Sequence, residues 1–522
     1  MSQRRVGILI LIVSAVLLFA GLARTPVFIV DESRNASCAI EMMDKGEWVV
    51  PYYNGKLRED KPPLHYYFMQ LSYSIFGQNA FGARFFSVVF GWLCLLIVWF
   101  YSSRQLGQSA GNWALLVLAS SMHFLMEFHL AVPDPYLIFF MTLAFLSFHD
   151  YLQFGRRLEW WLLYMSLGLA VMSKGPVGLL LPGLIFLLYL LFQGRDFWPA
   201  LRKLRLLPGA LVFLVVAVPW YYLVWEATDG VWLEAFLFEH NLDRFSSAKE
   251  GHGANPLVVP LMVLAGMLPF STWYPLALIK FRQAGKSSLA FFALLASFTI
   301  IIFFSISGTK LPNYPMPAYP MVAVSVGWIL VKNKWDSQIH HWLSALLGLS
   351  LVIAAYFLLA GDPMLVHLRW HSLVFLPVFI FGIVSILQIR KAHWDRGRQF
   401  LAGGWMLTSL FLFLISFPQI GRLNPATKAF NQFNLSESEI VHFRGFNPAF
   451  SFAYKREIPN YWDKWKLWSD AKSENFDYVL TFKKHEEELS ELKNLELVFE
   501  SPDVFEYTTT QVWQVVDEAH EE

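Results

Sequence analysis

Long apolar runs, separated by short polar stretches, dominate the chain. With a window of about twenty residues, the length that crosses a hydrocarbon core, such runs stand near residues 6–23, 82–101, 111–128, 136–153, 160–173, 176–192, 208–225, 256–280, 288–305, 313–331, 340–360, 371–389 and 399–418. The pattern predicts about thirteen membrane spans. The run at 160–173 is the shortest and is parted from the next only by Ser173-Lys174-Gly175-Pro176. The first run follows MSQRR, and Leu22-Ala23-Arg24 before Thr25-Pro26 is a poor cleavage site, so it reads as an uncleaved span. Beyond about residue 420 the runs shorten, and charges rise from Ser436 onward. There YVLTF at 478–482, HEEELSELK at 485–493, LELVFES at 495–501 and TQVWQVV at 510–516 alternate strand-like and helical periods. The fold predicted is an all-α polytopic membrane domain over residues 1–420, with an extracytoplasmic loop at 24–81, followed by a small α/β domain at 421–522.

Composition agrees with this reading. Apolar residues make up 56 % of the chain and charged ones 16 %, and the mean hydropathy is +0.42, values of a polytopic membrane protein. A net charge of +1 with no clustered basic face argues against a nucleic-acid partner. Cys38 falls in the loop after the first span and Cys94 inside another, which makes a disulfide between them improbable. The basic residues alternate with the spans: Arg4, Arg5, Arg104, Arg156, Arg157, Arg195, Arg202, Lys203, Arg205, Lys280, Arg282, Lys286, Lys332, Lys334, Arg390, Lys391, Arg396 and Arg398 all fall on one side, against about three in the short loops opposite. The rule that basic loops stay inside puts the N-terminus in the cytoplasm and the C-terminal domain outside.

That topology sorts the unusual polar residues. Asp31, Glu32, Lys61, Asp134, Lys174, Glu239, His240, Arg244, His252, Lys310 and Tyr314 all fall on the extracytoplasmic side or at its membrane edge. Charges at membrane depth are costly unless paired or functional. Singly, each has a plainer reading. Asp31 serves equally well as an N-cap or as a catalytic acid. Asp134, between Pro133 and Pro135, fits an Asx turn as well as a site. Lys174 marks a span boundary. His240 and His252, twelve residues apart, match no compact metal-ligand motif.

As a set, the motifs resemble a known family. DES at 31–33, GEWVVPYYNG at 46–55, DKPPLHYY at 60–67, the isolated Asp134, SKGPVGLLLP at 173–182, PWYY at 219–222, EHNLDRF at 239–245 and SGTKLPNYPMPAYP at 307–320 occur in family order. They look like the membrane-embedded C-type glycosyltransferases, and are most similar to the lipid A aminoarabinose transferases and their protein O-mannosyltransferase-like relatives. The resemblance implies transfer of a sugar from undecaprenyl phosphate to a periplasmic acceptor, lipid A or a protein, at the bacterial inner membrane. By family position Asp31 would be the general base, and Asp134 would position Lys61 or the donor. Glu32, Arg34, Lys174, Arg244, Lys310 and Tyr314 would bind substrate, the cations and the phenol facing the lipid phosphate. The family also implies a divalent metal (Zn, Mg or Mn) on the acid before the KPPL lysine and a loop histidine. Here that acid is Asp60 where the family has a glutamate, with His240 and then His252 as its partner. No nucleotide cofactor is implied.

A lipid-linked sugar flippase would use the same polar residues along a path from both sides. It would show inverted repeats with broken helices, and no internal repeat is visible. A non-catalytic scaffold would leave the grouping of KPPL, Asp134 and KLPNY on one face without a reason.

Overall fold

The computed structural model describes residues 2–243, 255–333, 337–473 and 475–516. It divides into two compact units, each assembled from separate stretches of sequence: Met1–Leu22, Glu59–Phe68 and Arg84–Leu412, and then Ala23–Arg58, Met69–Ala83 and Phe413–Glu522. The membrane stretch expected at 1–420 thus contributes to both units, and the residues expected as a separate C-terminal domain fold with residues 23–58 and 69–83.

Seven described helices are long and apolar enough to cross a membrane: Ala80–Leu106, Asp134–Phe154, Leu206–Ala227, Leu289–Ile306, Gln338–Gly361, Val366–Arg390 and Trp394–Gly421. Shorter apolar helices run over Val177–Phe192 and Met316–Lys332, and the first span is the helix Gln3–Phe19. The all-α membrane architecture follows the hydropathy, while fewer helices are of full spanning length than there are apolar runs. Breaks that hydropathy does not see explain the difference. The run at 111–128 is split into Gln108–Ala119 and Met122–Phe128, because the Ser121 hydroxyl accepts the Phe124 N–H and starts a new helix. The run at 256–280 becomes Val258–Gly266, Phe270–Trp273 and Tyr274–Ile279 around Pro269 and Pro275, whose rings remove backbone donors. The short run at 160–173 is one continuous helix, Arg157–Lys174.

Burial orders these helices into inner and outer ones. In Asp134–Phe154, 78 % of the apolar window is buried, against 22 % in Leu206–Ala227 and 17 % in Gln338–Gly361. The outer pair show leucine and phenylalanine to the surroundings, as lipid-facing helices do. Small residues let inner helices approach: a Cβ on Gly327 would lie 2.7 Å from the Ala110 carbonyl oxygen and the Ala114 nitrogen.

One end of this unit is closed by buried charge. The Asp150 carboxylate is fully buried and pairs with Arg104 and, at 3.4 Å, with Arg156, while Gln105 donates to it at 3.0 Å. Arg104 also pairs with Glu159 at 3.2 Å, and Glu159 accepts the Tyr101 hydroxyl at 2.5 Å. Two of the arginines that mark the basic loops are therefore also structural partners.

In the second unit, a five-stranded sheet has the order β4-β3-β5-β7-β6, with β3 Ile440–Phe443, β4 Asn460–Tyr461, β5 Tyr478–Phe482, β6 Leu495–Pro502 and β7 Thr509–Val515. β3 runs parallel to β4 and β5, and β7 runs antiparallel to β5 and β6. The period of two in each strand feeds two cores. Ile440, Leu480 and Val512 pack with Ala426, Ala429 and Phe450 on one face, and Val441, Val479 and Trp513 pack with Leu467 and Ala471 on the other. The three strands expected at 478–482, 495–501 and 510–516 are these, and the charged HEEEL stretch is the short helix Glu486–Ser490. A second, two-stranded sheet is a hairpin, β1 Tyr52–Tyr53 and β2 Lys56–Leu57. Asn54 and Gly55 both have positive φ (52° and 72°), as a two-residue type I′ turn requires. No disulfide links Cys38 and Cys94.

Replacing Asp150 by alanine strands the facing guanidinium groups. The expected result is a loss of about 3 kcal/mol, read as a lower melting midpoint in detergent.

Candidate active site

The second unit carries the acidic pair. Asp31 and Glu32 lie in the first turn of the helix Val30–Asp44, whose N-cap is Ile29, with no side-chain cap bond. The capping alternative for Asp31 is thereby removed. Its carboxylate is exposed in the turn where backbone N–H groups favour negative charge, and Arg34, one turn on, is exposed on the same face. Glu32 is wholly buried, with Asn35, Ala36 and Ala39, on the opposite side. That side is bolted down: Arg58 donates to the Asn35 side-chain oxygen Oδ1 at 3.1 Å, and the Tyr73 hydroxyl donates to the Ala36 backbone carbonyl at 3.3 Å.

The far end of the same helix is tied to the sheet. Glu41 accepts the Gly55 N–H at 3.0 Å and the Lys45 ammonium at 2.7 Å, and Lys45 reaches Glu457 at 2.9 Å. The bond from Lys45 holds the Glu457 carboxyl below its ordinary value. The Asn54 amide donates to the Ile458 carbonyl at 2.9 Å and accepts the Ile458 N–H at 2.7 Å, completing that backbone as a strand neighbour would. Tyr53 meets the Ser451 hydroxyl at 3.1 Å. The Asn-Gly pair was legible as a turn signal, but its hold on Ile458, 404 residues away, was not.

The first unit carries the cations. Asp134 opens its helix and is 5 % exposed; Lys174 closes the helix Arg157–Lys174. Each sits at the helix end that favours its charge, and the Lys174 ammonium meets Asp134 at 2.5 Å. Lys174 also lies 5.1 Å over the ring of Tyr314. Lys174 is therefore more than a span boundary, since it joins Asp134 to the KLPNY loop. In that loop Lys310 is buried and donates to the Ser307 carbonyl at 2.7 Å, one of the three N–H groups it owns.

The KPPL loop supplies the rest. Lys61 stands 3.8 Å from Asp60, and Pro62-Pro63 lead into the helix Leu64–Phe76. Burial pushes the Glu59 carboxyl up, and the charges of Glu239 and Asp60 push it further. The π-helix Ala235–Leu242, which carries Glu239 and His240, is thus within electrostatic reach of the loop. Phe236 of that π-helix fills the space over Gly175, where a Cβ would lie 2.4 Å from its ring and where φ is +85°. Glu59 went unremarked in the sequence, although the run Arg58-Glu59-Asp60 is charged throughout. Arg244 and His252 lie outside the described residues. Among the described residues no group of three His, Cys, Asp or Glu side chains is placed to hold a metal ion. The expected metal set of Asp60, His240 and His252 includes one residue outside them.

Residues 60–225 match the family model described as dolichyl-phosphate-mannose-protein mannosyltransferase. An uncharacterised protein of Aquifex aeolicus is 30 % identical over 359 residues, covering 67 % of this chain and 70 % of that one. The undecaprenyl phosphate-alpha-4-amino-4-deoxy-L-arabinose arabinosyl transferase of Pseudomonas aeruginosa is 31 % identical over 372 residues, covering 69 % and 66 %. The chain belongs to the aminoarabinose-transferase type of C-type membrane glycosyltransferases. The crystal structure of ArnT from Cupriavidus metallidurans bound to undecaprenyl phosphate shares the fold, with a TM-score of 0.81, 21 % identity and 97 % of both chains covered. The archaeal oligosaccharyltransferase AglB from Archaeoglobus fulgidus shares it more distantly, with a TM-score of 0.50 over 93 % of this chain and 70 % of that one. Like its relatives, this glycosyltransferase is a multi-pass membrane protein.

The Asp134–Lys174 pair separates a structural from a chemical role. Lys174→Met alone leaves a buried carboxylate behind, with an expected loss of about 3 kcal/mol and at least a roughly 100-fold fall in kcat/KM. Adding Asp134→Asn should restore the melting midpoint and leave the activity low. Recovery of both would make the pair a strut only.

Proposed function

We propose that this enzyme transfers a sugar from undecaprenyl phosphate to a hydroxyl of a periplasmic acceptor, with aminoarabinose and lipid A the first pair to test. The observation that carries the reading is the state of Asp31. Its carboxylate caps nothing, stands exposed, and sits on a helix held at both ends. Asp31 takes the proton of the acceptor hydroxyl as that oxygen attacks the anomeric carbon. The bond from the anomeric carbon to the phosphate oxygen breaks with inversion, and undecaprenyl phosphate leaves with the electron pair. Lys61, Arg244 and Lys310 neutralise the charge gathering on the phosphate, and Tyr314 donates a hydrogen bond to it. Lys174, aligned by Asp134, holds Tyr314 in place.

Mass spectrometry of envelope lipids and glycoproteins from a host lacking this protein tests the scheme. Complementation with the natural sequence should return a sugar-sized increment on lipid A, and Asp31→Asn should not. An increment on a protein instead would reassign the acceptor to the mannosyltransferase-like alternative. Equal rescue by Asp31→Asn would remove the base assignment. Lipid-linked sugar accumulating on one leaflet with no product would favour a flippase.

The same reading places the N-terminus in the cytoplasm and the sheet domain in the periplasm, on the strength of the basic-loop alternation. Alkaline phosphatase, which is active only outside the cytoplasm, should be active when fused after the C-terminus and inactive when fused after Arg205. The reverse pattern would invert the topology.

A further inference from the structure

The turn joining β6 to β7 reaches the segment that leads to Asp31. The Phe505 ring lies 6.1 Å from that of Phe28, three residues before Asp31 in the chain, at 39°. Phe28 is buried on its other side against Gly421, where a Cβ would lie 2.9 Å from Pro26 and 3.3 Å from Phe28. The approach to the catalytic helix is thus held between Gly421 and the turn.

The turn itself is built to present its tip. Asp503 is 4 % exposed and accepts from Asn447 at 2.7 Å, Thr510 at 2.7 Å and Thr508 at 2.6 Å, while its own N–H donates to the Thr508 carbonyl at 2.9 Å. Val504 is buried beside it. Phe505 then takes a φ of +66°, a left-handed conformation that a bulky side chain adopts only when its surroundings impose it. The outcome is an exposed Phe505 at 67 %, an exposed Glu506, and a Tyr507 whose side chain is open to solvent at 110 %. Backbone strain at Phe505 and three bonds to the Asp503 carboxylate thus hold two exposed aromatic rings at the tip of the turn, an arrangement suited to a ligand.

We propose that Phe505, Glu506 and Tyr507 are the acceptor-binding edge of the enzyme and take a pyranose ring of the acceptor. The proposal rests on the reading of Asp31 as base, since it places acceptor recognition in the unit that carries the base. The chemistry fits a sugar: aromatic faces pack on the C–H side of a pyranose ring while the phenol stays hydrated, and a carboxylate accepts its hydroxyl hydrogens. Acceptor and base would then be held by one body.

The test is binding and turnover by the full-length protein in detergent, with the deacylated glucosamine disaccharide of lipid A as the binding probe and lipid A as the turnover acceptor. Saturation-transfer NMR should show ring protons of the disaccharide against the natural sequence. Tyr507→Ala should weaken binding and raise the acceptor KM at least tenfold, with kcat and the donor KM changed less than twofold. Tyr507→Phe should stay within twofold of the natural sequence. Because the Tyr507 side chain is fully exposed, its removal leaves the melting midpoint in place, and a fall in Phe505→Ala would not blur the result. Absence of disaccharide binding, equal binding by Tyr507→Ala, or a rise in the donor KM alone would overturn the proposal. Normal disaccharide binding with no transfer by the natural sequence would leave the edge standing and overturn the functional reading instead.

Discussion

An ionised side chain beside hydrocarbon costs several kcal/mol unless it has a partner, and the membrane unit is organised around meeting that demand. Asp134 and Lys174 do so at two helix ends, each where the backbone dipole favours its sign, and their pair ties the SKGP turn to the first turn of the most deeply buried of the spanning helices. Lys174 passes the constraint on to Tyr314, and so to the KLPNY loop. Asp150, Arg104, Arg156 and Glu159 answer the same demand elsewhere in the unit. Because a partner has to be supplied wherever a charge is kept, the charges that remain double as joints.

The second unit meets a different need. The base proposed at Asp31 must be open to substrate yet fixed in direction. The helix Val30–Asp44 divides the two tasks between its faces: Asp31 and Arg34 are exposed, and Glu32, Asn35 and Ala36 are buried. The buried side rests on Arg58 and Tyr73, and the helix end rests on Lys45 and Glu457. Through Asn54 and Ile458 the small sheet domain becomes a mount for this helix. The sheet domain thereby helps to hold that helix in place.

Much of this was legible in the chain. The apolar runs announced a helical membrane protein because a spanning helix must be apolar along some twenty residues. The period of two in YVLTF and TQVWQVV announced strands because both cores of the sheet are fed by alternate residues. Span counting was less secure. Ser121 starts a helix and Pro269 breaks one through single hydrogen bonds made or withheld, which leave no trace in a hydropathy average. Asp31 was ambiguous for a related reason: a helix cap is legible only once the helix start is known, and the start at Val30 removes that reading.

Composition, hydropathy and motif order by themselves determined the class of the protein, the sheet strands and the roster of polar residues, because those properties depend on neighbours along the chain. The tertiary structure alone decided which of those residues meet. Asp134 pairs with Lys174 across 40 positions, Asn54 clasps Ile458 across 404, and Phe505 comes to rest on Phe28. Such contacts are set by packing, which brings together residues whose separation along the sequence carries no information about their distance in space.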